Sequence, residues 1–152
     1  KNLPNSKVVA IDISESALEV ANQNAKLNLL EDMVEFKLFD IMCRDFNSLG
    51  KFDLIVSNPP YVSKNDYEYL EPELKNHEPK IALTDNSNGI SFYKHIVEAS
   101  DQLLRKPGKM YFELGMDQSE QVKLFFEQKN FSNIEIIKDY SGIDRIICGE
   151  LK

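Results

Sequence analysis

Four consecutive residues, Asn58-Pro59-Pro60-Tyr61, follow directly on the apolar run Phe52 to Ser57 (FDLIVS). Prolines fix φ and donate no backbone hydrogen bond, so they end strand pairing and hold the chain rigid. The carbonyl before or between the two prolines stays unpaired and can point into a pocket. The Asn58 side-chain oxygen offers a second acceptor beside it. Tyr61 supplies a flat face for stacking. Two acceptors and one aromatic wall suit a planar, neutral NH2 group, either a carboxamide or the amine of a nucleobase. The plainer alternative is a strand-ending turn with no further task.

Two acids stand in comparable places. Asp12 ends the run Lys7 to Ile13 (KVVAIDI) and precedes Ser14, a residue suited to cap a helix. An acid there can accept hydrogen bonds from the hydroxyls of a ribose. Asp40 ends the alternating run Val34 to Phe39, where it could accept from the exocyclic amine of an adenine while Ile41 packs on the ring. Each could equally be an ordinary turn aspartate, and spacing alone leaves both readings open.

The elements that must position these residues alternate. Lys7 to Ile13 reads as a fully buried strand of the kind found in parallel sheets. Ser14 with Glu15 opens a helix whose Ala17, Leu18, Ala21 and Ala25 share a face. Val34 to Phe39 and Phe52 to Ser57 are further strands. Residues 63–88 are polar and punctuated by Pro72 and Pro79, which predicts a long excursion with short helical pieces. Phe92, Ile96, Ala99 and Leu103 keep helical spacing. Lys106-Pro107-Gly108 then turns the chain into a strand from Lys109 to Leu114. Asp117 with Glu120 suggests a capping box ahead of Val122, Phe125 and Phe126, both phenylalanines being core. Strands near Ile134 to Lys138 and Arg145 to Glu150, joined at Ser141-Gly142, pair antiparallel. The result is an α/β fold with an open, mostly parallel sheet and an antiparallel last strand. Ligands gather at the carboxyl ends of such strands, so Asp12, Asp40 and Asn58 are expected on one rim.

Composition narrows the chemistry. The chain has 152 residues, 42% of them hydrophobic, which suits one globular domain spanning residues 1–152. No apolar run approaches the ~20 residues of a membrane span, and no signal peptide is visible, so no membrane partner is expected. Cys43 and Cys148 form no CxxC pair and only two histidines occur, His77 and His95, which argues against a metal site and for reduced thiols in the cytoplasm. His95 is read as a surface or boundary residue. The net charge of −7 and the lack of a basic run make direct nucleic-acid binding a poor expectation.

Taken together, these residues resemble a known family. Asn-Pro-Pro-Tyr after a buried strand resembles the amino methyltransferases that use S-adenosylmethionine, with the class I Rossmann-like fold. The further segments His77-Glu78-Pro79, Ala82-Leu83, Gly89-Ile90-Ser91-Phe92-Tyr93, Glu113-Leu114-Gly115 with Gln118, and Asp139-Tyr140-Ser141-Gly142-Ile143-Asp144-Arg145 are similar to the HemK-type peptide chain release factor N(5)-glutamine methyltransferases. The resemblance implies methyl transfer from S-adenosyl-L-methionine to a glutamine side-chain nitrogen of a release factor, by a monomer. It implies Asn58, Pro59 and Tyr61 as catalytic residues and Asn58 to Tyr61 as the substrate clasp. Asp12, Asp40, Ile41 and Asn58 would hold the cofactor, with no metal. The alternative is an adenine amino-methyltransferase acting on DNA or RNA, which would use the same tetrapeptide on a flipped base. Structural roles are expected for Glu78 and Arg145, the latter paired with Asp139 or Asp144. Glu113 lies near the acceptor pocket or serves its neighbouring turn.

The resemblance also implies parts absent from these residues. The family's first strand and glycine-rich loop would precede Lys1, which makes this span a catalytic domain truncated at its N-terminus. That strand would sit between the strands ending at Asp12 and Asn58, so its absence would leave two inner edges unpaired. The span alone is therefore expected to bind cofactor weakly and to be poorly stable.

Overall fold

The computed structural model describes residues 5–152, and the strand and glycine-rich loop expected upstream lie outside the described residues. The chain divides into two units, Lys1–Asp45 and Phe46–Lys152. Their strands form two sheets, one of two strands and one of four.

The first unit is a single strand–helix–strand crossover. β1 (Val8–Asp12) and β2 (Val34–Leu38) pair in parallel, with Asp12 opposite Leu38. Between them runs α1 (Glu15–Leu27), which starts where expected. The Ser14 hydroxyl accepts the Ala17 N–H at 3.2 Å, Glu15 lies in the first turn and Lys26 in the last, each complementing the helix dipole. One expectation fails here: β1 is not buried. None of its residues is fully covered, and Val8 is 45% exposed. A run of β-branched residues is the same in a one-neighbour strand as in a central one. What differs is cover, and within this unit one helix and one neighbouring strand supply it.

The second unit carries the core. β3 (Phe52–Ser57) lies parallel to β4 (Leu104–Glu113), and β6 (Asp144–Leu151) runs antiparallel to both β4 and β5 (Phe131–Lys138). Thus β6 alone is reversed, as the short Ser141-Gly142 turn requires. β4 begins earlier than the Lys109 expected from sequence. Leu104 pairs with Phe52, the chain bulges across Arg105 to Gly108, and pairing resumes at Lys109 opposite Leu54. Beyond the bulge β4 alternates, with Met110 and Phe112 fully buried and Tyr111 and Glu113 half-buried. α5 (Ser91–Glu98) and α7 (Ser119–Gln128) bring Tyr93 and Phe126 onto that face. Both rings meet Phe112 edge-on, at centroid distances of 5.4 and 5.8 Å. Such pairs add about 0.5–1.5 kcal/mol each beyond the area they bury.

Two details differ from expectation for local reasons. Asp117 does not cap α7: it adopts φ 60°, and Gln118 takes the cap position without a side-chain bond to the helix. Of the two phenylalanines, Phe126 is buried but Phe125 only half so, because adjacent helical positions point about 100° apart. The excursion after β3 does hold short helices, α2 (Lys64–Tyr67), α3 (Pro72–His77) and α4 (Lys80–Leu83). A last short turn, α6 (Ser100–Leu103), leads into β4. His95 is a boundary residue, its ring tilted against Phe46 at 5.9 Å. Among the described residues no helix is long and apolar enough to cross a membrane.

Candidate active site

The β3–β4 ladder ends at Ser57, opposite Phe112, where the prolines begin. Pro59 is buried and Pro60 half-buried, while Asn58 is exposed. Among the described residues the Asn58 carboxamide has no hydrogen-bond partner. The turn thus roots itself through a proline ring and leaves a free acceptor and donor at its surface.

Tyr61 is then held at both ends. Its carbonyl accepts from Gln118 Nε2 at 2.8 Å, and its hydroxyl donates to Glu113 Oε1 at 3.3 Å. Burial, then the neighbouring Glu113 charge and hydrogen bond, push the Tyr61 phenol above its ordinary pKa, so it remains a donor. The segment beyond is stitched to the 83–89 loop. Val62 N donates to the Leu83 carbonyl and Lys64 N to that of Ser87, both at 2.9 Å, and Val62 bridges Thr84.

That loop is organised by Asp85, which sequence reasoning did not single out. Its Oδ1 accepts from Ser87 N at 2.8 Å and Gly89 N at 3.0 Å, and its Oδ2 from Ser91 N at 3.1 Å. Burial acts to raise the carboxyl's pKa, but the Ser91 hydroxyl and the three N–H groups outweigh it and hold the value below the ordinary one. The loop leads into α5, where buried Tyr93 sends its hydroxyl to the Glu113 carbonyl at 2.8 Å.

The reversed β6 brings Arg145 to the same place. Arg145 Nη1 donates to the Leu114 carbonyl at 3.3 Å, while Nε and Nη2 reach Asp139 Oδ2 at 3.4 Å. Of the two partners expected for Arg145 the structure selects Asp139. Asp144 instead accepts from Lys138 and Ser119, both at 2.6 Å. Segments scattered from residue 58 to residue 145 therefore converge beyond the carboxyl ends of β3 and β4. Glu78, at the end of α3, is exposed and takes no part in this network.

Asp12 and Asp40 belong to the first unit, at the carboxyl end of its two parallel strands. Each is exposed and forms a local turn: Ser14 N donates to Asp12 Oδ1 and Met42 N to Asp40 Oδ1, both at 2.8 Å. Both readings left open by spacing are compatible with this, because Oδ2 of each lies outside the turn. Ile41 is half-buried beside Asp40. An acid with a spare oxygen at each strand end fits a ribose diol and a ring amine. The two aspartates share an end of one sheet; Asn58 lies in the other unit.

The family description "methyltransferase domain" matches residues 1–140. A release factor glutamine methyltransferase of Fusobacterium nucleatum subsp. nucleatum is 44% identical over 150 residues, covering 97% of this chain and 41% of that protein. One of Geobacter sulfurreducens is 37% identical over 154 residues, covering 99% of this chain and 52% of that protein. The chain spans about half the length of the curated relatives it matches. Among solved structures, the hMettl16 catalytic domain in complex with a MAT2A 3'UTR hairpin aligns with a TM-score of 0.69 at 14% identity, covering 96% of this chain and 56% of that one. Identity that low speaks for the fold alone, and the fold is the class I methyltransferase sheet, mostly parallel with a reversed last strand. The matched span includes the proline turn, the 83–89 loop and Gln118, and the chain belongs to the methyltransferase-domain family.

Proposed function

We propose that the protein carrying this chain transfers a methyl group from S-adenosyl-L-methionine to the side-chain amide nitrogen of a glutamine in a peptide chain release factor. The observation that carries this reading is the unpartnered, exposed Asn58 carboxamide on a turn rooted by buried Pro59, next to a Tyr61 tethered through both its carbonyl and its hydroxyl. The names of the relatives support the substrate class. Under this reading the protein acts in the cytoplasm as a monomer, and its partner is the release factor.

The cofactor supplies an electrophilic methyl group on sulfur. The chain's own residues do the rest. The Asn58 side-chain oxygen and the Pro59 carbonyl accept the two N–H bonds of the substrate amide, which points its nitrogen lone pair away from the turn. An amide nitrogen is a weak nucleophile because that lone pair is delocalised. Acceptors placed on its hydrogens favour the positive charge that develops as it attacks, and after the transfer one of those protons leaves to water, giving the neutral N-methyl amide. The Tyr61 ring bounds the amide plane, with its hydroxyl tied back toward Glu113 so that the ring keeps one orientation. Alignment of this kind contributes up to roughly 7–11 kcal/mol in ideal cases. Asp12 holds the ribose hydroxyls, and Asp40 with Ile41 the adenine.

Asn58→Ala in the full-length protein tests the scheme. Turnover on a Gly-Gly-Gln release-factor domain is expected to fall by about 10²–10³-fold, the loss typical for one preorganised polar contact at a developing charge. Cofactor affinity by calorimetry should change far less. An adenine-bearing duplex offered in parallel should remain unmethylated. Wild-type turnover in Asn58→Ala would overturn the assignment of the turn.

A further inference from the structure

Resting on that reading, we infer that Gln118 is the positioning residue that sets the substrate clasp. It stands just ahead of α7, where a side chain ordinarily turns inward to cap the helix. Gln118 makes no such bond. Its carboxamide turns to three backbone segments instead. Nε2 donates to the Tyr61 carbonyl at 2.8 Å and to the Gly89 carbonyl at 3.2 Å, while Oε1 accepts from Gly115 N at 3.2 Å. Both amide hydrogens are used, one on each carbonyl.

The surroundings are shaped to admit this group. A Cβ at Gly115 would stand 2.6 Å from Gln118 Oε1, and a Cβ at Gly89 would stand 2.9 Å from Nε2. Two of the three segments can approach the carboxamide only because they lack a side chain.

The clasp needs such a tether. Strand pairing stops at Ser57, and Pro59 and Pro60 have no N–H to offer. The next backbone anchors after Ser57 are the Tyr61 carbonyl on Gln118 and the Val62 N–H on Leu83. The first of these lies two residues from the Pro59 carbonyl that takes the substrate N–H. A shift of the Tyr61 carbonyl would therefore rotate the acceptor pair. Gln118 touches neither substrate nor cofactor; it acts through Tyr61.

Two substitutions in the full-length protein separate positioning from packing. Gln118→Met keeps the volume and removes all three hydrogen bonds. Gln118→Glu keeps the acceptor for Gly115 N but sets a carboxylate against two carbonyls. Both should lower kcat for glutamine methylation about 10–100-fold, the scale of a sub-ångström to 1 Å misplacement, with KM for the cofactor little changed. Amide exchange at Val62 and Lys64 should quicken in both variants, while Met110 and Phe112 in the core and Val122 in α7 stay protected. Comparing kcat per folded molecule, with the folded fraction read from core protection, keeps the test decisive if a variant is less stable. Wild-type kcat in Gln118→Met, or unchanged exchange at Val62 and Lys64, would overturn the inference. If the wild-type protein itself fails to methylate glutamine, the functional reading falls instead, and the exchange data alone decide whether Gln118 fastens the turn.

Discussion

Alanine at Gly89 isolates the cost of the close approach between the 83–89 loop and the proline turn. Gly89 adopts φ +79°, and three contacts await a Cβ there: the Tyr61 carbonyl oxygen, well inside van der Waals distance, Gln118 Nε2 at 2.9 Å and Ser63 N at 3.2 Å. Gly142 serves as its control, with nearly the same φ of +81° and nothing within 4 Å. Both substitutions force an L-residue into the left-handed region, at about 1–2 kcal/mol. Only Gly89→Ala adds an overlap with backbone that cannot swing aside, typically about 1–3 kcal/mol. Disturbing the Gln118 contacts adds about 0.5–1.5 kcal/mol. Gly89→Ala should therefore cost roughly 2.5–6.5 kcal/mol against about 1–2 for Gly142→Ala. Urea unfolding of the full-length variants, extrapolated linearly to water, reads the difference. Since the atom that must yield is the Tyr61 carbonyl, methyl transfer per folded molecule should fall in Gly89→Ala and not in Gly142→Ala. Equal stability losses within ~0.5 kcal/mol, the usual scatter of such comparisons, would refute the reasoning.

Two more outcomes follow from the same network. Asp85→Asn cannot accept from N–H groups with both its side-chain atoms, and should destabilise by about 1–3 kcal/mol. Because the folded pKa of Asp85 is lowered, its contribution is fully present above the ordinary value of 3.8 and is lost as the pH falls through the folded value. The gap between wild type and Asp85→Asn in urea midpoints should thus be constant at neutral pH and close on acidification below 3.8. Tyr93→Phe removes the hydroxyl bonded to the Glu113 carbonyl from a fully buried site, and should cost about 1–2 kcal/mol in the same assay. Burial pushes that phenol well above its ordinary pKa, so this loss should not vary between pH 6 and about pH 9.

What residue type alone encodes was readable in advance. Pro59 and Pro60 end β3 because they have no N–H, and Ser14 caps α1 because its hydroxyl can reach Ala17 N. The hairpin turn at Gly142 needs φ +81°, which favours glycine. What depends on cover or on distant partners was not. Val56 is 71% exposed although its run reads as buried, because periodicity reports apolar character and not which neighbours cover it. Asp117 and Glu120 have capping-box spacing, but the left-handed turn at Asp117 starts the helix two residues later. Gln118 was visible as a member of a motif. Its partners Tyr61 and Gly89 lie 57 and 29 residues away, and nothing local announces them. Asp85 could have been found: an acid followed by Ser87, Gly89 and Ser91 is a sequence that can wrap N–H groups around a carboxylate.

The placement of β6 between β4 and β5 bears on how the nascent protein matures. Of the described strands it is the last to leave the ribosome, yet it occupies an interior position. Until it emerges, β5 lacks the strand that pairs with it, β4 is bare on the edge away from β3, and Leu114 waits for the guanidinium of Arg145. A stalled polypeptide ending before Asp144 would hold the proline turn and the 83–89 loop without the reversed strand that closes the sheet beneath them. This half of the machinery is therefore completed only by the last of the described strands.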